Sequence, residues 1–449
     1  MAEGVENISR KDVIWNYIAT FFKIGAGLIL LPFILKMMPT ETVGIWTIFT
    51  TITTLIALLD LGFNPSFTRN VTYVFSGVKE LKKKGIAELN KNNAIDYGLL
   101  KGTISAMRWF YSRMTIVVLL LLLVVGNIYM YFLMQSYTGD RTDLCIAWII
   151  LIILNAYDIY TLYYDSLLQG KGLIKLSKQI SVIGQLIYLI VAIVLIVLGQ
   201  GLIAIVSAQA LSIIIRRFLS YRAFFTKEIK ASLQSSKSQN KKEIISAIYP
   251  NAIKLGLTSI GSFLINKSAI FMGSIFLSLS EVAMYGITMQ VVGILSSLAG
   301  VYYNSYIPKI TQLRTTNNNK ELKAIFYRGS IIQLSVFVLG GLVFVLFGNY
   351  VLDLINSQTK FLGAGMLTVV LIISFLERNH ILATGFLLAK NEVPFFAASL
   401  WSGAATILLL WVFLDVVHWG VWGLILAQGI VQLAYQNWKW PLVLLKEIR

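Results

Sequence analysis

Cysteine is nearly absent: Cys145 stands alone in 449 residues, which excludes an intramolecular disulfide and leaves no thiolate cluster for zinc or iron–sulfur. Histidine is almost as scarce. His380 and His418 lack metal-ligand spacing, and no Cys, Asp or Glu cluster completes a site around either, so no metal or cofactor is expected. Charge is sparse too, at 13% of residues against 57% hydrophobic, with a mean hydropathy of +0.74. A soluble domain carries about 25% charged residues, so the bilayer has to be the solvent. No G-x-x-x-x-G-K-[ST] string occurs, which argues against ATP hydrolysis through a P-loop, and no G-x-S-x-G elbow is found.

What is abundant is apolar sequence in long runs. Spanning about 30 Å of hydrocarbon takes roughly 20 helical residues, and runs of that size predict about twelve membrane helices. The first six are Val13–Leu35, Val43–Phe63, Phe110–Met134, Leu144–Leu168, Leu176–Leu198 and Gly201–Phe218. The second six are Ile244–Phe271, Val282–Tyr306, Ser330–Leu352, Phe361–Leu388, Val393–Leu414 and Val417–Tyr435. In lipid the backbone must satisfy its own hydrogen bonds, so such runs are helical and the fold class is all-α. The run from Val13 is longer than a signal-peptide core and no small-residue cleavage site follows it, so it is expected to remain as an anchor.

A net charge of +17 is compatible with nucleic-acid binding, but these basic residues sit between apolar runs rather than on one surface. They set orientation instead. With both termini in the cytoplasm of a bacterial-type inner membrane, only Lys36, Arg141 and Lys360 fall in outer loops. The largest inner loops are Asn64–Trp109 and Leu219–Glu243, whose runs such as Lys82-Lys83-Lys84 reflect topology and attraction to anionic membrane lipids. The longest outer segment, around Gln135–Asp143, is short for an enzyme that joins or transfers lipid-linked sugars, and Asp140 and Asp143 there read as solvated caps. Catalysis is disfavoured, no catalytic residue is assigned, and transport is the default.

A Lys-, Ser- and Gln-rich stretch divides the chain into an N-terminal lobe (1–225), a basic cytoplasmic linker (226–243) and a C-terminal lobe (244–449). The halves echo one another. Lys23-Ile24-Gly25 matches Lys254-Leu255-Gly256, and Thr40-Glu41-Thr42-Val43 resembles Ser280-Glu281-Val282-Ala283. Asp158 and Glu377 correspond, as do Lys171 and Lys390, and Gly201-Leu202-Ile203 pairs with Gly423-Leu424-Ile425. Six helices per half make the repeat parallel, and such repeats place substrate sites near the midplane between them.

Ionisable side chains at bilayer depth cost about 2.5–3.5 kcal/mol on insertion scales and normally face a wet cavity or a partner. Lys23 and Lys254 lie roughly 15 Å from the cytoplasmic surface at 1.5 Å per residue, and Arg378 falls in the inner half of its helix. An anionic substrate is the natural partner of these three cations; the alternative is that they pair with Asp158 and Glu377 and hold the bundle together. Lys267 either joins them or snorkels to the headgroups. Asp158 and Glu377 are candidates for coupling to H+ or Na+, with a structural ion pair as the other reading of Asp158. Tyr157, Tyr160 and Tyr164 lie along one helix side, where they either stack on sugar rings or pack the core. Pro32 and Pro250 each remove a helix hydrogen bond and favour a kink, static or hinged.

The segments Thr40-Glu41-Thr42-Val43-Gly44-Ile45-Trp46, Leu58-Leu59-Asp60-Leu61-Gly62-Phe63 with Arg69, and Leu168-Gln169-Gly170-Lys171-Gly172 carry a family resemblance. With them the chain resembles the polysaccharide-export branch of the multidrug/oligosaccharidyl-lipid/polysaccharide (MOP) exporter superfamily, in particular the Wzx-type O-antigen flippases. That resemblance implies two six-helix lobes around a central cationic cavity that opens alternately to each side. The implied cargo is an undecaprenyl-diphosphate-linked oligosaccharide moved from the inner to the outer leaflet, its diphosphate meeting Lys23, Lys254 and Arg378. Other polysaccharide-assembly membrane proteins are the implied partners. Asp60 and Arg69 match the family motif at the end of the second helix, where a carboxylate–guanidinium clasp is expected. The competing readings are a cation-coupled multidrug antiporter of the same superfamily and, third, a membrane glycosyltransferase or polymerase.

Overall fold

The computed structural model describes residues 10–78, 80–81, 95–300, 302–303, 306, 310, 319–388 and 394–448. These residues are helical nearly throughout, and eleven of the helical runs are long and apolar enough to cross a membrane. This is an all-α, multi-pass membrane protein. Its exposed side chains say the same: Leu120, Val125, Leu339 and Leu346 are 59–69% exposed, a surface that in water would aggregate and in a bilayer meets acyl chains.

The first compact unit comprises Met1–Met37 and Ile52–Ser259. Its helices are α1 (Arg10–Met37), the last turns of α2 (Thr40–Leu58), α3 (Phe63–Phe75), α4 (Tyr97–Leu121), α5 (Asn127–Ser136), α6 (Arg141–Thr161), α7 (Tyr163–Gly170), α8 (Ile174–Val197), α9 (Gly201–Phe224) and α10 (Lys227–Ser235). The first part of α11 (Lys241–Phe276) completes it. A π-helical turn, Leu122–Gly126, joins α4 to α5 without a break. The second unit comprises Met38–Thr51 and Ile260–Arg449. It holds the start of α2, the rest of α11, α12 (Leu279–Ala299), α13 (Asn319–Leu354), α14 (Ala364–Leu388), α15 (Phe396–Trp411), α16 (Val421–Ala434) and α17 (Gln436–Glu447). The compact units are therefore drawn at different residues from the lobes expected at 1–225 and 244–449, because α2 and α11 each contribute residues to both.

The helix ends have local causes. Asp96 caps α4 by accepting from the Leu99 N–H at 2.9 Å, and Asp140 caps α6 through Thr142 at 2.7 Å. Ser278 and Glu281 form a reciprocal capping box at α12. Two expected loops are largely helix. The 64–109 loop contains α3 and the first turns of α4, and the 226–243 linker contains α10, capped by Thr226. Hydropathy marks only the part of a helix that lies in lipid, whereas α4 to α5 runs 40 residues, Tyr97–Ser136, about 60 Å at 1.5 Å per residue. The twelfth expected span, Val417–Tyr435, differs the other way. His418 (φ 55) and Gly420 (φ 57) turn the chain before α16, which is only 14 residues long and ends at Ala434.

The motifs that carried the family resemblance are places of close packing. A Cβ on Gly44 would stand 2.5 Å from the Leu279 carbonyl oxygen, so α2 and α12 touch backbone to backbone there. Leu61 (φ 48) and Gly62 (φ 71) make the left-handed turn between α2 and α3, and Gly256 of α11 lies directly against the Leu61 backbone. Gly170 packs on Val71 and the Thr68 carbonyl of α3, and Gly172 (φ 94) turns the chain into α8.

Candidate functional site

Two clusters of charge are buried within the spans, one in each unit. In the first, Arg217 of α9 is 3% exposed and bonds Asp158 of α6 at 2.5 Å and Asp165 of α7 at 2.6 Å. The two aspartates are seven residues apart and so share a helix side, although the helix is interrupted at Leu162, where the chain tightens by a Leu162 N–H to Ile159 carbonyl bond. Asp158 is thus held by a guanidinium. Sequence reasoning had not singled out Arg217, which reads as one of two adjacent arginines near a helix end and signals topology.

Close by, Asp60 is 8% exposed and accepts from the Tyr111 hydroxyl at 2.7 Å and from the Asn64 N–H at 3.0 Å. Burial pushes the Asp60 carboxyl up, and these two donors pull it back. The expected clasp with Arg69 does not form: Arg69 lies exposed on α3, turned from Asp60 by the left-handed turn at Leu61-Gly62. Tyr111 takes the place expected of the arginine, and no pattern in one sequence marks a tyrosine 51 residues away as its partner.

The three tyrosines divide. Tyr160 is 41% exposed, while Tyr164 packs on Tyr163 at a ring distance of 4.5 Å and on Tyr221 at 5.6 Å. Tyr157 is half-buried. Tyr163 accepts from Arg108 Nε at 3.2 Å. Pro32 is exposed within the unbroken helix α1, and Pro250 lies within α11.

In the second unit, Glu377 and Arg378 are adjacent on α14, with Lys267 of α11 near enough to act on Glu377. Gln428 of α16 donates at 3.0 Å to Glu377 Oε2 and at 2.9 Å to Asn266 Oδ1, and the Asn266 side chain also bonds Glu377. Arg378 turns the other way and lies on Gly300, where a Cβ would fall 1.8 Å from its Nη2. Its Nε is buried and has no hydrogen-bond partner among the described residues. The structure therefore brings together Glu377, Arg378 and Lys267, and it adds Asn266 and Gln428, whose amides are unremarkable in sequence. Lys23 and Lys254 lie in α1 and α11, but their side chains, like that of Pro250, lie outside the described residues.

Among the described residues the two clusters differ in balance. In the first, Arg217 and the adjacent Arg216, whose Nε is buried without a hydrogen-bond partner, lie with two carboxylates, Asp158 and Asp165. In the second, Lys267 and Arg378 share one, Glu377, which leaves cationic capacity for an anion.

No protein-family model matches the chain, and no curated protein matches it. Solved structures do match. The chain is similar to the inward-facing form of a multidrug resistance MATE family transporter of the MOP superfamily, at 14% identity and a TM-score of 0.63 over 95% of this chain and 94% of that one. Against an outward-facing form of a MATE family transporter the values are 13% and 0.54, over 98% and 99%. A MOP superfamily transporter from Pyrococcus furiosus, whose binding pocket is described as reversed in polarity with a suggested different function, aligns at 14% identity and a TM-score of 0.52 over 99% and 100%. At such identities the likeness is one of fold, and the fold is that of the MATE transporters of the MOP superfamily.

Proposed function

We propose that this chain is a membrane transporter, not an enzyme, and that it exports an anionic lipid-linked oligosaccharide. The cargo is an undecaprenyl-diphosphate-linked repeat unit of O-antigen or another surface polysaccharide. It passes from the cytoplasmic to the periplasmic leaflet of a bacterial inner membrane, in which both termini are cytoplasmic, by alternating access. The observation that carries this reading is the cationic surplus of the Glu377–Arg378–Lys267 cluster. A buried guanidinium edge without a partner is costly in the resting protein, and a diphosphate supplies the acceptors it lacks. Lys23 and Lys254 are further candidate contacts for an anion, and Tyr157 and Tyr164 candidate contacts for sugars. The ion gradient, H+ or Na+, acts through Glu377, which Asn266 and Gln428 hold in place. The engagement of Asp158 with Arg217 supports a structural role there instead.

A second reading has a specific observation behind it: solved structures of this fold include multidrug resistance transporters. A cation-coupled drug antiporter needs free carboxylates for cationic drugs, and in the first unit Asp158 and Asp165 are already taken up by Arg217. The same fold also occurs with a binding pocket of reversed polarity, so fold alone leaves cargo charge open, and the local balance supports an anion.

The test is deletion of the gene followed by analysis of lipid extracts. Lipid-linked oligosaccharide is expected to accumulate on the cytoplasmic side and surface polysaccharide to disappear, with recovery on complementation by the wild-type chain but not by Arg378→Gln. Normal surface polysaccharide together with new sensitivity to cationic drugs would instead establish the antiporter.

A further inference from the structure

Helices α13 and α14 run antiparallel with a register fixed by three contacts. Gly341 faces Leu371, the Phe337 and Phe375 rings lie 5.8 Å apart, and Gly329 faces Leu382. Between the two helices lies an open groove of about 400 Å³, walled by Leu334, Val338, Leu342 and Leu346 on one side and Leu371 and Ile372 on the other. Its lining is apolar along a length of about 18 Å, from Leu334 to Leu346 at 1.5 Å per residue.

The end of this groove at Leu334 is unlike the rest. Gln333 is one turn before Phe337 on the α13 side that faces α14, and it is 2% exposed. Both of its side-chain polar atoms, Nε2 and Oε1, are buried without a hydrogen-bond partner. The antiparallel register sets Gln333 level with Arg378, which follows Phe375 by three residues on α14 and whose Nε is unpartnered as well. Just past the last residues that line this end of the groove, Leu334 and Phe375, thus come two polar side chains from different helices, Gln333 and Arg378, with buried atoms that lack partners among the described residues. Buried polar groups are normally satisfied, and each exception calls for a ligand, a water or a functional reason.

We propose that this groove holds the hydrocarbon chain of a phosphate-bearing lipid, whose head group binds at Arg378 and Gln333. The chain enters the apolar channel, and the phosphate oxygens accept from Arg378 Nε and from Gln333 Nε2, the two donors that lack partners. The ligand class is a single long isoprenoid or acyl chain bearing a phosphate or diphosphate. Resting on the export reading, the groove is the place where the cargo's lipid part is carried while its sugars are handled elsewhere.

The purified full chain in nanodiscs is photolabelled with a diazirine-bearing polyprenyl phosphate and, separately, with the matching diazirine polyprenol that has a free hydroxyl. Labelled peptides are then mapped. The phosphate probe is expected to label residues 334–346 and 368–375 at least fivefold more than the alcohol. Arg378→Gln should erase that preference, and Leu342→Trp, a change at a lipid-exposed position that fills the mouth, should lower labelling by both probes. Equal labelling by the two probes means that only bulk lipid covers the groove and overturns the proposal. So does labelling confined to other helices, or a chain-to-chain cross-link across α13 and α14 that protects them. Gln333→Leu is a second variant that removes the orphaned amide while adding apolar packing; it should stay folded and weaken the phosphate preference. If labelling follows the expected pattern while cells lacking the gene export polysaccharide normally, the groove stands and the export reading falls. If lipid-linked oligosaccharide accumulates in those cells while labelling ignores the phosphate, the groove reading falls alone.

Discussion

The first unit sets two cations against two carboxylates, and the second sets two against one. Arg217 bonds Asp158 and Asp165 at 2.5 and 2.6 Å with Arg216 beside them, whereas among the described residues Arg378 and Lys267 have one carboxylate between them. Both clusters sit within apolar helices, so composition does not separate them. What differs is whether each charge is compensated locally. A compensated cluster holds helices in register; an uncompensated one stores affinity for a ligand of opposite sign.

That contrast can be broken most forcefully at Arg217. Arg217→Met leaves Asp158 and Asp165, each about a third exposed, without the guanidinium that joins them, and is expected to cost about 2 kcal/mol, less than the loss of a partner in a fully buried pair. Thermal unfolding in detergent and the yield of folded protein measure it. The triple variant Arg217→Met, Asp158→Asn, Asp165→Asn should recover most of that loss, and if it recovers none the triad is not what stabilises the region. Arg378→Gln should behave in the opposite way, with unfolding temperature nearly unchanged and export of surface polysaccharide reduced at least tenfold. Equal destabilisation by both arginine variants would erase the distinction between the units. A comparable loss of stability is expected from Tyr111→Phe, which removes the 2.7 Å hydroxyl bond to the buried Asp60 carboxylate. A hydrogen bond to a charged group is worth about 1.5–3 kcal/mol, and the loss should appear in thermal stability without altering cargo preference. Gly300→Ala should do least. The new methyl would displace the Arg378 guanidinium but not the helix backbone, so export should fall a few-fold with stability within about 0.5 kcal/mol of the parent.

Much of the architecture was legible in the chain. Apolar runs located eleven of the spans because lipid exposure imposes a composition on every helix that crosses it. Helix limits were less legible: α4 begins at Tyr97 rather than near Phe110, and α10 occupies part of an expected linker, since helices continue into water without an apolar signal. Within the candidate site, Glu377, Arg378 and Lys267 stood out as charges in apolar surroundings. Asn266, Gln428 and Gln333 did not, because amides occur throughout polar helix faces and only their partners, or lack of them, give them meaning. The Asp60–Arg69 pairing was expected from proximity in sequence and motif. A left-handed turn at Leu61-Gly62 redirects α3, and Tyr111 from a distant helix fills the position instead.

The family-like motifs teach a related lesson. Gly44, Gly62, Gly170 and Gly172 are where backbones touch or turn, so these strings report a shared fold and say little about cargo. By itself the sequence determined that the protein lives in a bilayer, that it is built of helices, and which charges are buried at a cost. Those facts follow from solvation, which acts on each residue where it stands. Only the tertiary structure decided which of those charges are neutralised and which are left open, because Coulombic and hydrogen-bond compensation depends on distances between helices that are far apart in the chain.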